Sequence, residues 1–194
     1  MPRICVFCGS MTGESPIYAK AAQQLGMLLA QRNLGLVYGG GNIGLMGVLA
    51  DAALAAGAEV IGVIPGGLAE KELAHAGLAE LHIVESMHSR KALMADKANA
   101  FIALPGGYGT ADELFEILTW RQLGLHDKPI GLLNVAGFFD PLLAWIDRTV
   151  AEGFLRPSHR RLLLQATSPD DLLDGLSRFQ PETMPSKAVD PATR

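Results

Sequence analysis

Continuous apolar runs separated by stretches with helix punctuation recur along the chain, and this alternation constrains the fold more than any other feature. The runs are Ile4–Phe7, Leu36–Tyr38, Val60–Ile64, Leu81–Val84, Phe101–Leu104 and Ile130–Leu133, with Leu162–Gln165 as a seventh. Most do not alternate polar with apolar residues, so they predict strands buried on both faces, which is the habit of a parallel sheet covered by helices. The expected fold is α/β, a Rossmann-like doubly wound parallel sheet of about six or seven strands with helices on both faces. Ser15-Pro16, Asp140-Pro141 and Ser168-Pro169 each place a capping side chain before a proline at a helix start, and Asn33 to Gly35, Gly57 and Gly153 mark helix ends. No repeat or linker interrupts the pattern. Residues 1–180 are expected to form one domain and residues 181–194, with three prolines and little apolar content, a loose tail.

A chain of 194 residues can bury about 70% of its unfolded surface without disulfides or metals to staple it. Sixteen basic and twenty acidic residues are scattered, which argues against a nucleic-acid partner. The longest uncharged run, Asn33 to Ala50, is broken by six glycines and two asparagines and does not suit a membrane span. Only five apolar residues stand between Arg3 and Gly9, too few for a signal-peptide core, and the expected location is cytoplasmic. Cys5 and Cys8 have the spacing of a redox or zinc pair. In a buried strand, however, residues three apart face opposite ways, so they read as two reduced core thiols.

Glycine supplies 22 residues, about 11% of the chain against a usual figure of roughly 7%. Many cluster after strands, where ligands bind in open α/β sheets: Cys8-Gly9-Ser10, Gly39-Gly40-Gly41-Asn42-Ile43-Gly44 and Pro105-Gly106-Gly107-Tyr108-Gly109-Thr110. The second loop fits G-x-G-x-x-G. An acidic residue at the far end of the next strand, which an NAD site would need, is missing, because Glu59 precedes Val60–Ile64. A phosphate resting on the following helix is compatible with that loop, as are glycines that merely allow tight packing. The third loop can turn backbone N–H groups and the Thr110 hydroxyl toward an anion. Thr110-Ala111-Asp112-Glu113 is also a capping box, in which Glu113 would satisfy the Thr110 N–H and nothing more. Arg90 and Lys91, just before the fifth strand, are cations that could serve a phosphate or leaving group, or form a solvated pair.

The segment Ser89-Arg90-Lys91-Ala92-Leu93-Met94, followed by Phe101 to Glu113 with P-G-G-x-G-T-x-x-E, resembles the LONELY GUY (LOG) family. These are cytokinin riboside 5'-monophosphate phosphoribohydrolases, formerly labelled possible lysine decarboxylases. The resemblance extends to Cys8-Gly9-Ser10, to Tyr38 through Gly47 and to Thr119-Trp120 through Asn134, reaching about Phe154. It implies that Arg90 and Glu113 are catalytic. It also implies that Glu72, Arg90, Lys91, Gly106, Gly107, Tyr108, Gly109, Thr110, Ala111, Asp112, Glu113 and Thr119 bind substrate, with Ser10, Gly40 and Gly41 as additional phosphate contacts. Met11 departs from the small polar residue common after Ser10, and the stretch beyond Arg156 matches nothing in the family pattern.

The chemistry so implied is hydrolysis of the N-glycosidic bond of adenosine 5'-monophosphates, including N6-modified ones, to free base and ribose 5-phosphate. Its oxocarbenium-like state calls for a nearby carboxylate, Glu113. Arg90, always charged, would stabilise the departing base or fix the nucleotide rather than donate a proton. No metal or organic cofactor is required. A pyridoxal-phosphate decarboxylase would need a Schiff-base lysine, and no lysine here has that context. A nucleotide sensor of the same fold that binds without turnover is the alternative. The helix after the third loop carries Leu114, Phe115, Ile117, Leu118, Trp120, Leu123 and Leu125 around its whole circumference, which predicts a homodimer through the helix 111–125.

Overall fold

A computed structural model describes residues 1–72, 74–75, 77–78 and 80–180, without the side chains of residues 70–72. The region expected to be a loose tail, residues 181–194, lies outside the described residues. Seven parallel strands form one sheet: β1 (Arg3–Phe7), β2 (Gly35–Tyr38), β3 (Val60–Pro65), β4 (Glu80–Val84), β5 (Ala100–Ala103), β6 (Ile130–Leu133) and β7 (Leu163–Ala166). Their order is β4-β3-β2-β1-β5-β6-β7.

Helices α1 (Pro16–Gln31), α2 (Gly44–Ala55) and α8 (Pro169–Ser177) pack on one face around Ile4, Val6, Leu36, Tyr38 and Ile102. Helices α4 (Met87–Lys97), α5 (Tyr108–Gln122) and α6 (Asp140–Ala151) cover the other face around Phe7, Val37, Ile61 and Phe101. Short helices α3 (Gly66–Glu72) and α7 (Pro157–Arg160) and a 3-10 turn at Val135–Gly137 are the other helical elements among the described residues. Right-handed crossovers put α1 and α2 on one face and α4, α5 and α6 on the other, because the chain first winds from β1 toward β4 and then jumps back across β1 to β5. That reversal beside β1 is the topological switch point, where a crevice opens at the carboxyl ends of the strands.

The strand pattern read from the sequence holds, with small shifts. β5 and β7 are each displaced by one residue from the apolar runs. β4 is an edge strand that leaves Leu81 and Ile83 exposed, so it is not buried on both faces. Asn33, Gly57 and Gly153 end helices with positive φ, as expected. Ser168 caps α8 by accepting from the Asp171 N–H at 3.2 Å, whereas Ser15 makes no side-chain cap bond to α1. Asp140 does not cap α6 either. It is the first helical residue, and its carboxylate accepts from Asn134 Nδ2 at 2.7 Å while Asn134 Oδ1 takes the Phe139 N–H at 2.8 Å. Cys5 and Cys8 are free, buried and placed in opposite faces' cores, and burial pushes both thiols up, away from the reactive thiolate.

Candidate active site at the switch point

Parallel pairing of β1 with β5 brings two of the glycine loops together. The Gly9 N–H donates to the Pro105 carbonyl at 3.1 Å, and the Leu45 N–H at the start of α2 donates to the Gly9 carbonyl at 3.0 Å, which draws in the third loop. Beneath them lies a cavity of about 280 Å³ lined by Cys8, Gly9, Ser10, Gly39, Arg90 and Glu113, by Gly107 to Thr110, and by the apolar side chains of Met46, Leu68 and Met87. Helices α2 and α5 both begin at this end of the sheet. Neither has a capping side chain, since Ile43 and Gly107 occupy the cap positions. The first N–H groups of α5 therefore present an electropositive end suited to an anion.

Helix α4 sets Arg90. Ser86 caps it, with its Oγ accepting from the Ser89 N–H at 3.0 Å, and the first turn so fixed carries Arg90 inward. Arg90 is 8% exposed, and two backbone carbonyls hold its guanidinium: Nε donates to Val63 O at 3.1 Å and Nη2 to Gly39 O at 3.1 Å. Both acceptors lie at the carboxyl ends of neighbouring strands, so the sheet itself aims the remaining nitrogen. That nitrogen, Nη1, stands 4.0 Å from Glu113 Oε1.

Gly39 makes this clamp possible. A Cβ there would fall 1.9 Å from Arg90 Nη2.

Glu113 is on the inner face of α5 with Thr110, Leu114 and Ile117. The capping-box reading is excluded, because α5 starts at Tyr108 and Thr110 is already its third residue. Burial is the largest influence on the Glu113 carboxyl and pushes it up to about 7, against the opposing pull of the Arg90 charge. A carboxyl titrating near neutrality in a cleft, beside a fixed cation, suits proton transfer or the stabilisation of a developing positive charge.

The other residues nominated from the sequence divide into two groups. Ser10, Gly107, Tyr108, Gly109 and Thr110 line the cavity, Tyr108 as an exposed rim. Gly40, Gly41, Gly106, Ala111 and Asp112 sit beside it without lining it, and the side chain of Glu72 lies outside the described residues. Lys91 points away from Arg90, as adjacent helical residues do, and ties α4 to α5 through Asp112 at 2.9 Å and Glu116 at 3.0 Å. Desolvation is the largest single influence on its pKa and pulls it down, but the two partners together outweigh it and raise the pKa, which keeps Lys91 an ammonium. Thr119 is about three turns into α5 on a different face, donating to the Phe115 carbonyl at 2.7 Å and lining a groove with Trp145. Met46, Leu68 and Met87 were not nominated; apolar residues carry no local signal that separates a pocket wall from the core.

Residues 46–176 match the profile of a family described as possible lysine decarboxylase, so the likeness continues past Arg156, where the residue pattern alone carried none. The chain is 51% identical over 180 residues to a probable cytokinin riboside 5'-monophosphate phosphoribohydrolase of Oryza sativa subsp. japonica, covering 93% of this chain and 74% of that one. It is also 51% identical over 180 residues to a cytokinin riboside 5'-monophosphate phosphoribohydrolase of Arabidopsis thaliana, covering 93% and 83% respectively. Among solved structures, the molybdenum cofactor binding protein of Rippkaea orientalis superposes with a TM-score of 0.69 over 91% of this chain and 95% of that one. At 23% identity this is a likeness of fold.

Proposed function

Since the chain belongs to the family of the cytokinin riboside 5'-monophosphate phosphoribohydrolases, we propose that it hydrolyses the N-glycosidic bond of adenosine 5'-monophosphates, N6-modified ones included, releasing the base and ribose 5-phosphate. The observation that carries this reading is the pairing of Glu113 with a backbone-clamped Arg90 one turn below an uncapped helix start. The 5'-phosphate rests on the N–H groups of Gly107 to Thr110. Glu113, three residues or about 4.5 Å of helix rise beyond Thr110, then faces the anomeric carbon across the ribose. As the bond from that carbon to the base breaks, water attacks the carbon and Glu113 takes the water's proton. Arg90 offsets the negative charge gathering on the departing base, and the proton that Glu113 took passes through water to the base nitrogen, which restores the carboxylate and leaves the neutral base. Met46, Leu68 and Met87 give the base an apolar wall. The direct test is ribose 5-phosphate release from adenosine 5'-monophosphate and its N6-isopentenyl form; nucleotide binding without release would refute the proposal.

Gly107 offers a sharper check of the phosphate site. A Cβ on it meets nothing within 4 Å and its φ is −97°, so neither space nor backbone conformation calls for glycine there. Close approach of a ligand would. Gly107→Ala should raise KM about tenfold while changing stability by less than about 1 kcal/mol; an unchanged KM would remove the phosphate from this loop.

The homodimer belongs to the same proposal, and a groove between α5 and α6 supports it. Phe115 and Leu118 of α5 face Trp145 of α6, which is 56% exposed, and Phe154, which is 86% exposed, stands beside them. Phe115 and Trp145 meet edge to face at 5.8 Å. A second copy laid on this groove would cover these rings. Trp145→Glu should convert the dimer to a folded monomer in sedimentation equilibrium, whereas a wild-type monomer would refute the assignment. No helix among the described residues is long and apolar enough to cross a membrane.

A further inference from the structure

Another cavity, of about 510 Å³, with arginines set in a largely apolar lining, lies near the outer edge of the sheet, beside β7 and the end of α8. Its walls include Arg121, Ser158, Arg160, Arg161, Leu163 and Phe179, and no acidic side chain lines it among the described residues. Arg121 is the unusual member. It is 4% exposed, more deeply buried than Arg90, yet only Nη1 is satisfied, donating to the His126 carbonyl at 3.0 Å. Nε and Nη2 have no hydrogen-bond partner among the described residues. Burying guanidinium N–H groups unpaired is costly, and a structure that tolerates it normally has a use for them.

The unpaired atoms are also a matched set. Nε–H and Nη2–H lie along one edge of the planar guanidinium and point the same way, which is the fork that grips two oxygens of a carboxylate or phosphate. The Phe179 ring covers the face of the same guanidinium, with its centroid 5.8 Å from Cζ. Phe179 itself is only half-buried, and its backbone N–H reaches the Leu176 carbonyl at 3.3 Å. Arg160 is committed to Asp147 at 2.6 Å and adds positive potential without offering its Nε.

We propose that Arg121 is the anchor of an oxyanion site separate from the catalytic cleft, gripping a carboxylate or phosphate side-on through Nε and Nη2. The Ser158 hydroxyl and the arginines of the 160–161 turn complete the polar wall, and Phe179 with Leu163 contacts the body of the ligand. Two sources share this chemistry: a free small oxyanion, and the carboxylate of Glu182, two residues beyond Gln180 in the sequence. The inference does not depend on the proposed hydrolase activity.

The Nε–H resonance of Arg121 in a nitrogen-15 correlation spectrum reads the site directly and is assigned by its disappearance in Arg121→Lys. Inorganic phosphate and acetate are titrated into the full chain and into Glu182→Gln. A saturable shift of this resonance in the wild type identifies a free anion as the ligand. A shift caused by Glu182→Gln before any anion is added, with the titration response appearing only in that variant, identifies the chain's own carboxylate. A resonance that stays put in both proteins overturns the site. Arg121→Met gives an independent reading: added phosphate should raise the melting temperature of the wild type more than that of the variant, and equal increments would also overturn the proposal. Ribose 5-phosphate release should be unchanged in Arg121→Met, which separates this site from the catalytic one.

Discussion

Glu113→Gln is expected to lower ribose 5-phosphate release by about three orders of magnitude while making the folded protein more stable than the wild type at and above neutral pH. Glutamine keeps the shape and the contacts with the inner face of α5 but can neither carry negative charge nor take a proton. The gain in stability follows from burial. The Glu113 carboxyl is pushed from 4.5 to about 7, so between those values the folded protein holds a proton that the unfolded chain has lost. Wild-type stability therefore falls as pH rises from 4.5 through 7, with the full penalty present above 7. A carboxyl held that far from its ordinary value represents about 3 kcal/mol. Thermal melts across this window should fall for the wild type and be flatter for Glu113→Gln. Parallel curves would mean that the carboxyl is not buried as described. In the wild type kcat/KM should rise with pH through about 7 as the carboxylate forms.

Gly39→Ala should be nearly as damaging as removing Arg90 itself, although it adds one methyl group. The new Cβ would overlap Nη2 at 1.9 Å and crowd Cζ at 3.1 Å, so the guanidinium cannot keep its bonds to both Gly39 O and Val63 O. A buried charge stripped of its acceptors destabilises by about 3 kcal/mol, and misaiming Nη1 should lower kcat by at least about a hundredfold. Loss of the Arg90 charge near Glu113 also removes an influence that holds its pKa down, so the ascending limb of the pH profile should move upward. Arg90→Met provides the comparison. A Gly39→Ala protein with wild-type kcat and an unmoved profile would show that the carbonyl clamp does not aim the arginine.

Much of this arrangement was legible beforehand because it rests on local chemistry. Apolar runs without alternation read as strands buried on both faces, and the five interior strands are, since each sits between two other strands with helices over the sheet. The edge strands β4 and β7 depart, leaving Leu81, Ile83 and Gln165 exposed, because an edge strand has only one neighbour, which a run of apolar residues does not reveal. Asp140 carried the local mark of a cap, yet Asn134, six residues earlier, made the bond instead. Lys91 followed Arg90 in the sequence and was grouped with it, whereas one residue of helical rotation turns it toward Asp112 and Glu116.

The alternation of elements and the placing of glycine loops after strands were determined by the sequence alone, because a helix start, a tight turn and a doubly buried strand are all settled by residues within a few positions of one another. Whether Glu113 was a helix cap or a working carboxylate could be decided only in three dimensions. Its neighbours along the chain permit either role. What distinguishes them is where α5 begins, how deeply the carboxyl is buried, and an arginine held by carbonyls 27 and 51 residues away in sequence. Desolvation and the aim of a buried charge depend on everything packed around a group, and that packing exists only once the sheet has closed over it.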